Sequence, residues 1–173
     1  LCGVPSMWNM MLPRAAKYDL SSVRWCMSGA SPVTAKLIKR IADICPEISN
    51  PLGLTETSGF CTYSDIHATS ENLTDTVGRP VIPCKIIADP GEIGPIAWSG
   101  DTISPSAPRD EEGWFISGDL GFMDADGQLH LRGRSDDVYF TGGYTVYPAE
   151  IELVLLEHPD VASCCVVPHP SKL

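Results

Sequence analysis

The chain carries GWFISGDLGFMDADGQLHLRGRSD at residues 113–136, and this stretch decides the predicted fold of its second half. A Ser-Gly bend precedes Asp119, two short β-like runs follow, and an Asp126-Gly127 turn joins them. An Asp-Gly pair between apolar runs is typical of a β-hairpin, whose two ends lie close together. The pattern therefore predicts that Asp119 and Arg134 flank one small ligand with several hydroxyl groups.

The residue types at the two ends of this hairpin suit a sugar. A carboxylate such as Asp119 accepts hydrogen bonds from two neighbouring hydroxyls, and the Arg134 guanidinium offers a planar fork of donors. Ribose is the candidate ligand. The alternative is an ordinary surface hairpin with charged ends, and the residues alone leave both interpretations open.

Residues 23–50 show the pattern of a parallel α/β unit. Residues 23–28 are rich in β-formers and are predicted as a strand, and Ser31-Pro32 is typical of a helix start. Apolar residues then recur at helical spacing to about Cys45, namely Val33, Leu37, Ile41 and Ile44. Residues 47–50 follow as a predicted strand.

In a parallel sheet, ligands bind at the carboxyl ends of the strands. Residues 28–31 and residues 51–57 are the two loops that follow the predicted strands. We therefore expect both loops at one binding edge. The alternative is that both loops are ordinary turns, and the pattern alone does not distinguish the two interpretations.

From Val77 onwards the chain changes to short β-like runs separated by Gly and Pro, which predicts a β-rich subdomain. The predicted strands are Lys85–Ala88, Pro95–Trp98, Trp114–Ile116, Gly121–Met123 and Gln128–Leu131. A helix is predicted from Pro148, with Ile151, Val154 and Leu155 on one face, and a strand over Val161–Val167. This change in character predicts a second domain that begins near Asp136.

Composition excludes several classes of protein. The chain has 173 residues and a net charge of −10, which argues against nucleic acid or an anionic membrane as partner. No apolar run approaches the roughly 20 residues of a membrane span. Seven cysteines without metal-binding spacing indicate free thiols in a reducing compartment, and four scattered histidines do not indicate a metal site. The chain begins with Leu1, and we expect it to be a piece of a longer protein.

Three segments together carry a family resemblance. The hairpin segment reads GWF-x-[Ser/Thr]-GD and continues to GR-x-DD at residues 133–137. YDLSSVR at 18–24 leads to SGASP at 28–32, and GLTET occupies 53–57. In this order the segments closely resemble the AMP-forming adenylating enzymes, which include acyl-CoA synthetases, luciferases and peptide-synthetase adenylation domains.

The resemblance covers nearly the whole chain and implies its domain organisation. Residues 1–135 match the later part of the large adenylate-binding domain, divided into an α/β unit (1–76) and a β-rich subdomain (77–135). Residues 136–173 match the start of the small C-terminal lid domain. The implied fold class is α/β plus a β-subdomain, followed by the beginning of an α+β lid.

The resemblance also implies a nucleotide site. Its small-residue loop lies against one face of adenine, where Gly29 and Ala30 permit a close backbone approach. Asp119 holds the ribose hydroxyls, and Arg134 also contacts the nucleotide. The implied nucleotide-binding residues are Gly29, Ala30, Ser31, Leu52, Gly53, Leu54, Thr55, Asp119 and Arg134.

Thr55 and Glu56 are the implied catalytic residues. Thr55 faces the AMP phosphate, and Glu56 helps to hold Mg²⁺ between the ATP phosphates, because a hard cation prefers carboxylate oxygen. Leu52 departs from the family, which usually has an aromatic residue stacked on adenine there. Such stacking contributes about 0.5–1.5 kcal/mol in aromatic pairs. Leu52 can cover a face of the base by apolar contact but gives up this stacking.

DDVYFTGGY at 136–144, followed by PAEIE at 148–152, resembles the hinge and the start of the lid in this family. The resemblance implies a lid that rotates about Asp136 after adenylation. Gly142, Gly143 and Tyr144 would then line the channel for the pantetheine arm of CoA, since glycines leave room for a thin chain. From the residues alone, a plain hairpin turn remains the alternative for Gly142-Gly143.

These matches predict a fragment of an AMP-forming acyl-CoA synthetase, with ATP, AMP, Mg²⁺ and CoA as cofactors and a small carboxylic acid as substrate. The family's phosphate-binding loop and lid lysine would lie before residue 1 and after residue 173, so we expect the isolated chain to be inactive. Two alternatives stay open: an adenylation domain that loads a carrier protein, and a catalytically dead nucleotide-binding module.

Residues 171–173 read SKL, the peroxisomal address tripeptide. In the family this position lies in the middle of the lid domain, which favours a chance match at a truncation. We therefore expect a cytoplasmic protein, with the peroxisome as the alternative.

Overall fold

The computed structural model describes residues 1–65, 67 and 70–169. Its helices are α1 (Pro5–Met11), which continues as a 3-10 helix over Leu12–Lys17, α2 (Ala35–Ala42), α3 (Ser70–Asp75) and α4 (Pro148–Leu156). The first strands are β1 (Cys2–Gly3), β2 (Cys26–Ser28), β3 (Ile48–Ser49), β4 (Gly53–Leu54), β5 (Gly59–Phe60), β6 (Thr62–Tyr63) and β7 (Arg79–Pro80). The later strands are β8 (Cys84–Ile86), β9 (Gly94–Trp98), β10 (Phe115–Met123), β11 (Leu129–Arg134), β12 (Tyr139–Thr141) and β13 (Tyr144–Val146). The predicted SKL tripeptide lies outside the described residues.

The first half of the chain forms the predicted parallel unit. β2 lies between β1 and β3 and pairs with both in parallel, with Cys26 opposite Ile48. The helix between β2 and β3 begins later than predicted, because Thr34 and not Ser31 is its N-cap. The Thr34 hydroxyl accepts a hydrogen bond from the Leu37 amide at 3.2 Å, which satisfies a donor of the first turn.

One apolar core lies under this unit. Trp8 is fully buried within it, and its indole N–H lies 3.1 Å from the carbonyls of both Gly3 and Met27. The buried members of this core are Trp8, Cys26, Val33, Leu37, Ile38, Ile41, Cys45, Ile48 and Leu73.

An antiparallel sheet in the order β11-β10-β9-β8 forms the β-rich part. The predicted strands Trp114–Ile116 and Gly121–Met123 belong to one strand, β10, whose register shifts against both neighbours. Asp119 lies inside β10 and is paired with Arg134 of β11, as the hairpin pattern predicted. A second apolar core lies here, formed by Cys61, Val77, Ile96, Trp98, Ile103, Ala107, Phe115 and Leu129.

The last part of the chain consists of the β12–β13 hairpin and α4. The predicted helix face, Ile151, Val154 and Leu155, is exposed. The predicted strand over Val161–Val167 is wrong: these residues follow α4 without pairing into any described sheet. Instead, the Val166 amide donates to the Glu152 carboxylate at 2.8 Å. Among the described residues, no helix is both long and apolar enough to cross a bilayer.

Candidate functional site

A cavity of about 470 Å³ opens where the two strand-end loops face the β10–β11 hairpin. Residues 30–32 line it from the first loop, and residues 50–54 line it from the second. Asp119 and residues 131–134 form the hairpin side, and residues 74–77 contribute from the end of α3. The structure therefore brings both strand-end loops and the hairpin to one cavity.

Asp119 supplies the cavity with an unused hydrogen-bond acceptor. It is 7% exposed, and its Oδ1 lies 3.8 Å from Arg134 Nη1, whereas Oδ2 is buried with no hydrogen-bond partner among the described residues. Burial raises the pKa of Asp119, and Glu56 adds to the rise, whereas the Ser117 hydroxyl and Arg134 lower it. A buried carboxylate of this kind is costly unless a ligand donates to it.

Two buried hydroxyl groups fix the shape of the second loop. The Leu54 amide donates to Thr57 Oγ1 at 3.1 Å, which closes the turn that carries Thr55 and Glu56. The Leu52 amide donates to Thr62 Oγ1 at 2.9 Å, and that hydroxyl donates to the Val77 carbonyl at 2.6 Å. The loop and residues 74–77 therefore form one continuous wall.

The same wall combines an amide with apolar side chains. Asn50 is 7% exposed, and its amide nitrogen donates to the Leu73 carbonyl at 2.8 Å. This hydrogen bond fixes the side chain and leaves the amide oxygen as its remaining polar atom. The apolar lining residues include Pro51, Leu52, Leu54, Val77 and Leu131. A flat, mostly apolar ring with one amino group fits such a wall.

Helix α4 forms the remaining side of the cavity. Ala149, Glu150, Glu152 and Leu153 line it from this helix. Arg132 Nε lies 3.3 Å from Glu150 Oε1 and connects β11 with the helix.

The predicted site residues do not all lie at the cavity. Ala30, Ser31, Leu52, Gly53, Leu54, Asp119 and Arg134 line it, whereas Gly29 and Thr55 do not. A Cβ on Gly29 would lie 2.7 Å from the Pro51 carbonyl oxygen, so this glycine allows the two loops to approach each other. Glu56 does not line the cavity, but its negative charge helps to raise the pKa of Asp119.

The predicted hinge and CoA residues do not line the cavity. Asp136 is exposed in the turn after β11. Gly142 and Gly143 both have positive φ, +57° and +84°, and form the two-residue turn between β12 and β13. Tyr144 follows them and is 76% exposed.

Sequence reasoning missed several lining residues, namely Asn50, Thr74, Asp75, Thr76, Val77, Arg132, Gly133, Asp137, Ala149, Glu150, Glu152 and Leu153. Arg132 and Gly133 could have been predicted, because they directly precede Arg134 in the same strand of the hairpin. Residues 74–77 carried no such signal, since tertiary hydrogen bonds bring them to the site.

Comparison with known proteins decides the family. Residues 1–104 match the family model described as AMP-binding enzyme, which is more than half of the chain. The chain belongs to this family. The predicted membership in the AMP-forming adenylating enzymes is thereby confirmed.

Curated relatives of this chain are named as ligases. It is 34% identical over 186 residues to a Mycobacterium tuberculosis 3-[(3aS,4S,7aS)-7a-methyl-1,5-dioxo-octahydro-1H-inden-4-yl]propanoyl:CoA ligase, which covers 99% of this chain and 36% of the relative. It is 32% identical to the fatty acid–[acyl-carrier-protein] ligase ScoC of Streptomyces coeruleorubidus, covering 99% of this chain and 37% of that protein. The chain thus spans little more than a third of the length of these relatives.

Solved structures confirm the predicted fold class. The Bacillus subtilis o-succinylbenzoate coenzyme A synthetase, solved with ATP and magnesium ion, superposes with a TM-score of 0.85 at 29% identity. The superposition covers 99% of this chain and 39% of that one.

Proposed function

We propose that this chain forms the nucleoside-binding part of an AMP-forming carboxylic acid–CoA ligase. The observation that carries the proposal is the buried Asp119 Oδ2, a carboxylate oxygen without a partner among the described residues, in a cavity of about 470 Å³. A pair of ribose hydroxyls would donate to Asp119, and Arg134 would hold the ionised carboxylate and contact the nucleotide from the other strand.

The base would occupy the wall formed by the second loop. Leu52 and Val77 offer apolar contact to the ring, and the Asn50 amide oxygen offers an acceptor for an exocyclic amino group. Adenine has such a group. A Leu at position 52 contacts the base without the ring stacking that an aromatic side chain gives.

The charge of the cavity suits a nucleoside better than a triphosphate. Its ionisable lining residues are the acids Asp75, Asp119, Asp137, Glu150 and Glu152 and the bases Arg132 and Arg134. Because this excess of carboxylates repels phosphate, the phosphates would lie outside the cavity, towards the exposed Thr55 and the half-buried Glu56.

Glu56 fits a magnesium ion that arrives with the nucleotide. Among the described residues there is no group of three side chains that would hold a metal ion by itself. Mg²⁺ usually binds through one or two carboxylates together with substrate phosphates, and a single Glu at the phosphate end meets this requirement. When bound, the ion would neutralise phosphate charge.

The parent reaction has two steps. The carboxylate of the acid attacks the α-phosphorus of ATP and pyrophosphate leaves, and the CoA thiol then displaces AMP from the acyl-adenylate. Thr55 and Glu56 would act in the first step. For the second step, a Cβ on Gly142 or Gly143 would meet nothing within 4 Å, so their turn offers open surface to the pantetheine arm.

The carrier-protein alternative has a specific observation in its favour, because ScoC is named as a ligase for an acyl-carrier protein. Other relatives are named for CoA instead, namely the Mycobacterium tuberculosis ligase and a feruloyl-CoA synthase of Amycolatopsis. CoA is therefore the proposed acceptor. Product analysis with CoA and with a phosphopantetheinylated carrier protein distinguishes the two.

Acid-dependent ATP–pyrophosphate exchange tests the proposed activity. We expect no exchange from residues 1–173 alone, because the family resemblance assigns the neutralisation of the phosphates to groups outside these residues. A longer protein that includes the phosphate loop and the lid lysine should exchange with at least one acid of a panel. Exchange by the isolated chain contradicts our assignment of essential groups, and AMP binding without exchange in the longer protein favours the dead module.

Asp136→Ala in the longer protein separates the two steps. If Asp136 is the hinge, its loss should leave pyrophosphate exchange close to wild type and lower CoA-dependent product formation at least tenfold, because domain rotation precedes the second step. Asp126→Ala, at the exposed hairpin turn, is the matched control and should change neither rate. An equal loss of both rates in the Asp136 variant contradicts the hinge assignment.

A further inference from the structure

Helix α4 meets the β10–β11 hairpin at two neighbouring points. Arg132 Nε lies 3.3 Å from Glu150 Oε1, and a Cβ on Gly133 would lie 3.8 Å from the Ala149 Cβ. Glu150 and Ala149 also line the cavity. The position of the first turn of α4 therefore determines how far this side of the cavity is closed.

A series of ring contacts holds Arg132 in place on the hairpin. Its guanidinium carbon lies 5.0 Å from the centre of the Phe122 ring, and this ring stacks on His130 at 4.6 Å with an interplanar angle of 8°. His130 Nε2 lies 2.9 Å from Asp124 Oδ2, and its Nδ1 lies 3.2 Å from Asp75 Oδ2. Arg132 is thus supported by the Phe122 ring of the neighbouring strand β10 and, through that ring, by His130 of its own strand β11.

We propose that Arg132 and Glu150 form a latch that holds α4 against the hairpin and keeps this side of the cavity closed. Only the effect of the latch on a bound nucleotide rests on the proposed function. The docking of α4 against the hairpin can be measured without any ligand. Neither residue is assigned to the chemistry. Both are positioning residues, which act through the place of α4.

The strength of this ion pair suits a contact that must open. Side-chain exposures of 27% for Arg132 and 49% for Glu150 leave the pair partly screened by water. Pairs of this kind change an equilibrium about two- to fivefold. That is enough to favour the closed position and too little to prevent the lid from turning.

Charge reversal tests the latch in the chain as it is. Arg132→Glu and Glu150→Arg should each raise the amide hydrogen exchange of residues 149–156 about two- to fivefold, because like charges then face each other. The double variant Arg132→Glu/Glu150→Arg restores an opposite pair and should return exchange close to wild type. High salt should raise exchange in the wild type, where it screens an attraction, and lower exchange in the single variants, where it screens a repulsion.

Lys85 provides a matched control outside the lid. Its Nζ lies 3.2 Å from Glu112 Oε2 and 4.4 Å from the centre of the Trp114 ring, so it combines the same two kinds of contact. Lys85→Glu should leave the exchange of residues 149–156 unchanged. An equal rise in this control shows a general charge effect and overturns the latch.

Three further outcomes also overturn it: unchanged exchange in both single variants, no recovery in the double variant, or a rise spread evenly over the whole chain. Circular dichroism identifies a single variant that does not fold. The exchange of the other single variant then decides whether the latch exists. A second readout is the dissociation rate of AMP, expected to rise two- to fivefold in the single variants and to recover in the double. If wild type binds no AMP, the proposed function fails, and the exchange result still decides the latch.

Discussion

Gly78→Ala is expected to remove about 2–5 kcal/mol of folding free energy, the largest loss that one added methyl group causes in this chain. Gly78 is buried and has φ +82°, a conformation that costs an L-residue about 1–2 kcal/mol. The added Cβ would also overlap the Tyr63 carbonyl and the Ser64 amide. Since backbone and not a flexible side chain lies in its way, the overlap requires a shift of the chain.

Such a shift would reach the cavity. The Gly78 amide donates to Thr76 Oγ1 at 2.7 Å, and its carbonyl accepts from the Leu129 amide at 2.8 Å. These hydrogen bonds hold residues 74–77 against β11 at the wall of the site. We therefore expect weaker AMP binding together with the loss of stability.

Gly113→Ala is the matched control. Gly113 has nearly the same backbone conformation, φ +88°, but nothing lies within 4 Å of its added Cβ. The Gly113→Ala variant should lose about 1–2 kcal/mol of folding free energy, because only the backbone conformation is unfavourable for alanine there. Urea unfolding, with the slope unchanged, measures both variants. Equal losses for Gly78→Ala and Gly113→Ala mean that the overlap is relieved at no cost.

Local patterns in the sequence predicted the elements that carry much of the site. The Asp126-Gly127 turn sets the hairpin register within a few residues, so the pairing of Asp119 with Arg134 followed from it. The strand–helix–strand pattern similarly placed the loops after β2 and β3 at one edge. In both cases the information lies in short stretches of chain.

Other features depend on contacts between distant segments. The N–H of Trp8 is satisfied by the backbone carbonyls of Gly3 and of Met27, and the second of these lies 19 residues further along the chain. Val161–Val167 has the apolar pattern of a strand, yet a strand requires a partner, and the described sheets offer none to it. The wall at residues 74–77 similarly depends on Thr62, which lies ten residues or more before it. The domain boundary at 135 and the roles of the site residues stay predictions.

Asp119→Asn is expected to weaken AMP binding about 10- to 150-fold, as the loss of a hydrogen bond to a charged group costs about 1.5–3 kcal/mol. The substitution keeps the shape of the side chain and replaces one carboxylate oxygen with an NH2 group, which donates hydrogen bonds and does not accept them. Because Oδ2 has no partner among the described residues, a ligand hydroxyl would be its main partner, and the buried site offers little water in exchange.

The same substitution should stabilise the ligand-free chain near neutral pH. Burial, reinforced by Glu56, raises the pKa of Asp119 against the opposing effects of Ser117 and Arg134, so the folded state binds this proton more tightly than the unfolded state. Wild-type stability therefore falls as pH rises from the ordinary aspartate range through the raised pKa. The Asp119→Asn chain lacks this titrating group. Its free energy of unfolding relative to the wild type should therefore rise over that pH window and stay constant above it.

Calorimetric titration with AMP and urea unfolding between pH 3.5 and pH 8 test both effects (about half a unit below the usual pKa of Asp to well above it). Wild-type affinity should decline as pH falls through the raised pKa of Asp119, because the protonated carboxyl group loses an acceptor, whereas the affinity of the Asp119→Asn chain should not change there. Asp126→Asn, in the exposed turn of the same hairpin, is the control and should match wild type in affinity and stability. Unchanged AMP affinity in the Asp119→Asn chain contradicts the ribose assignment. A chain that loses both stability and affinity shows instead that Asp119 holds the hairpin together through Arg134, so that its primary role is structural.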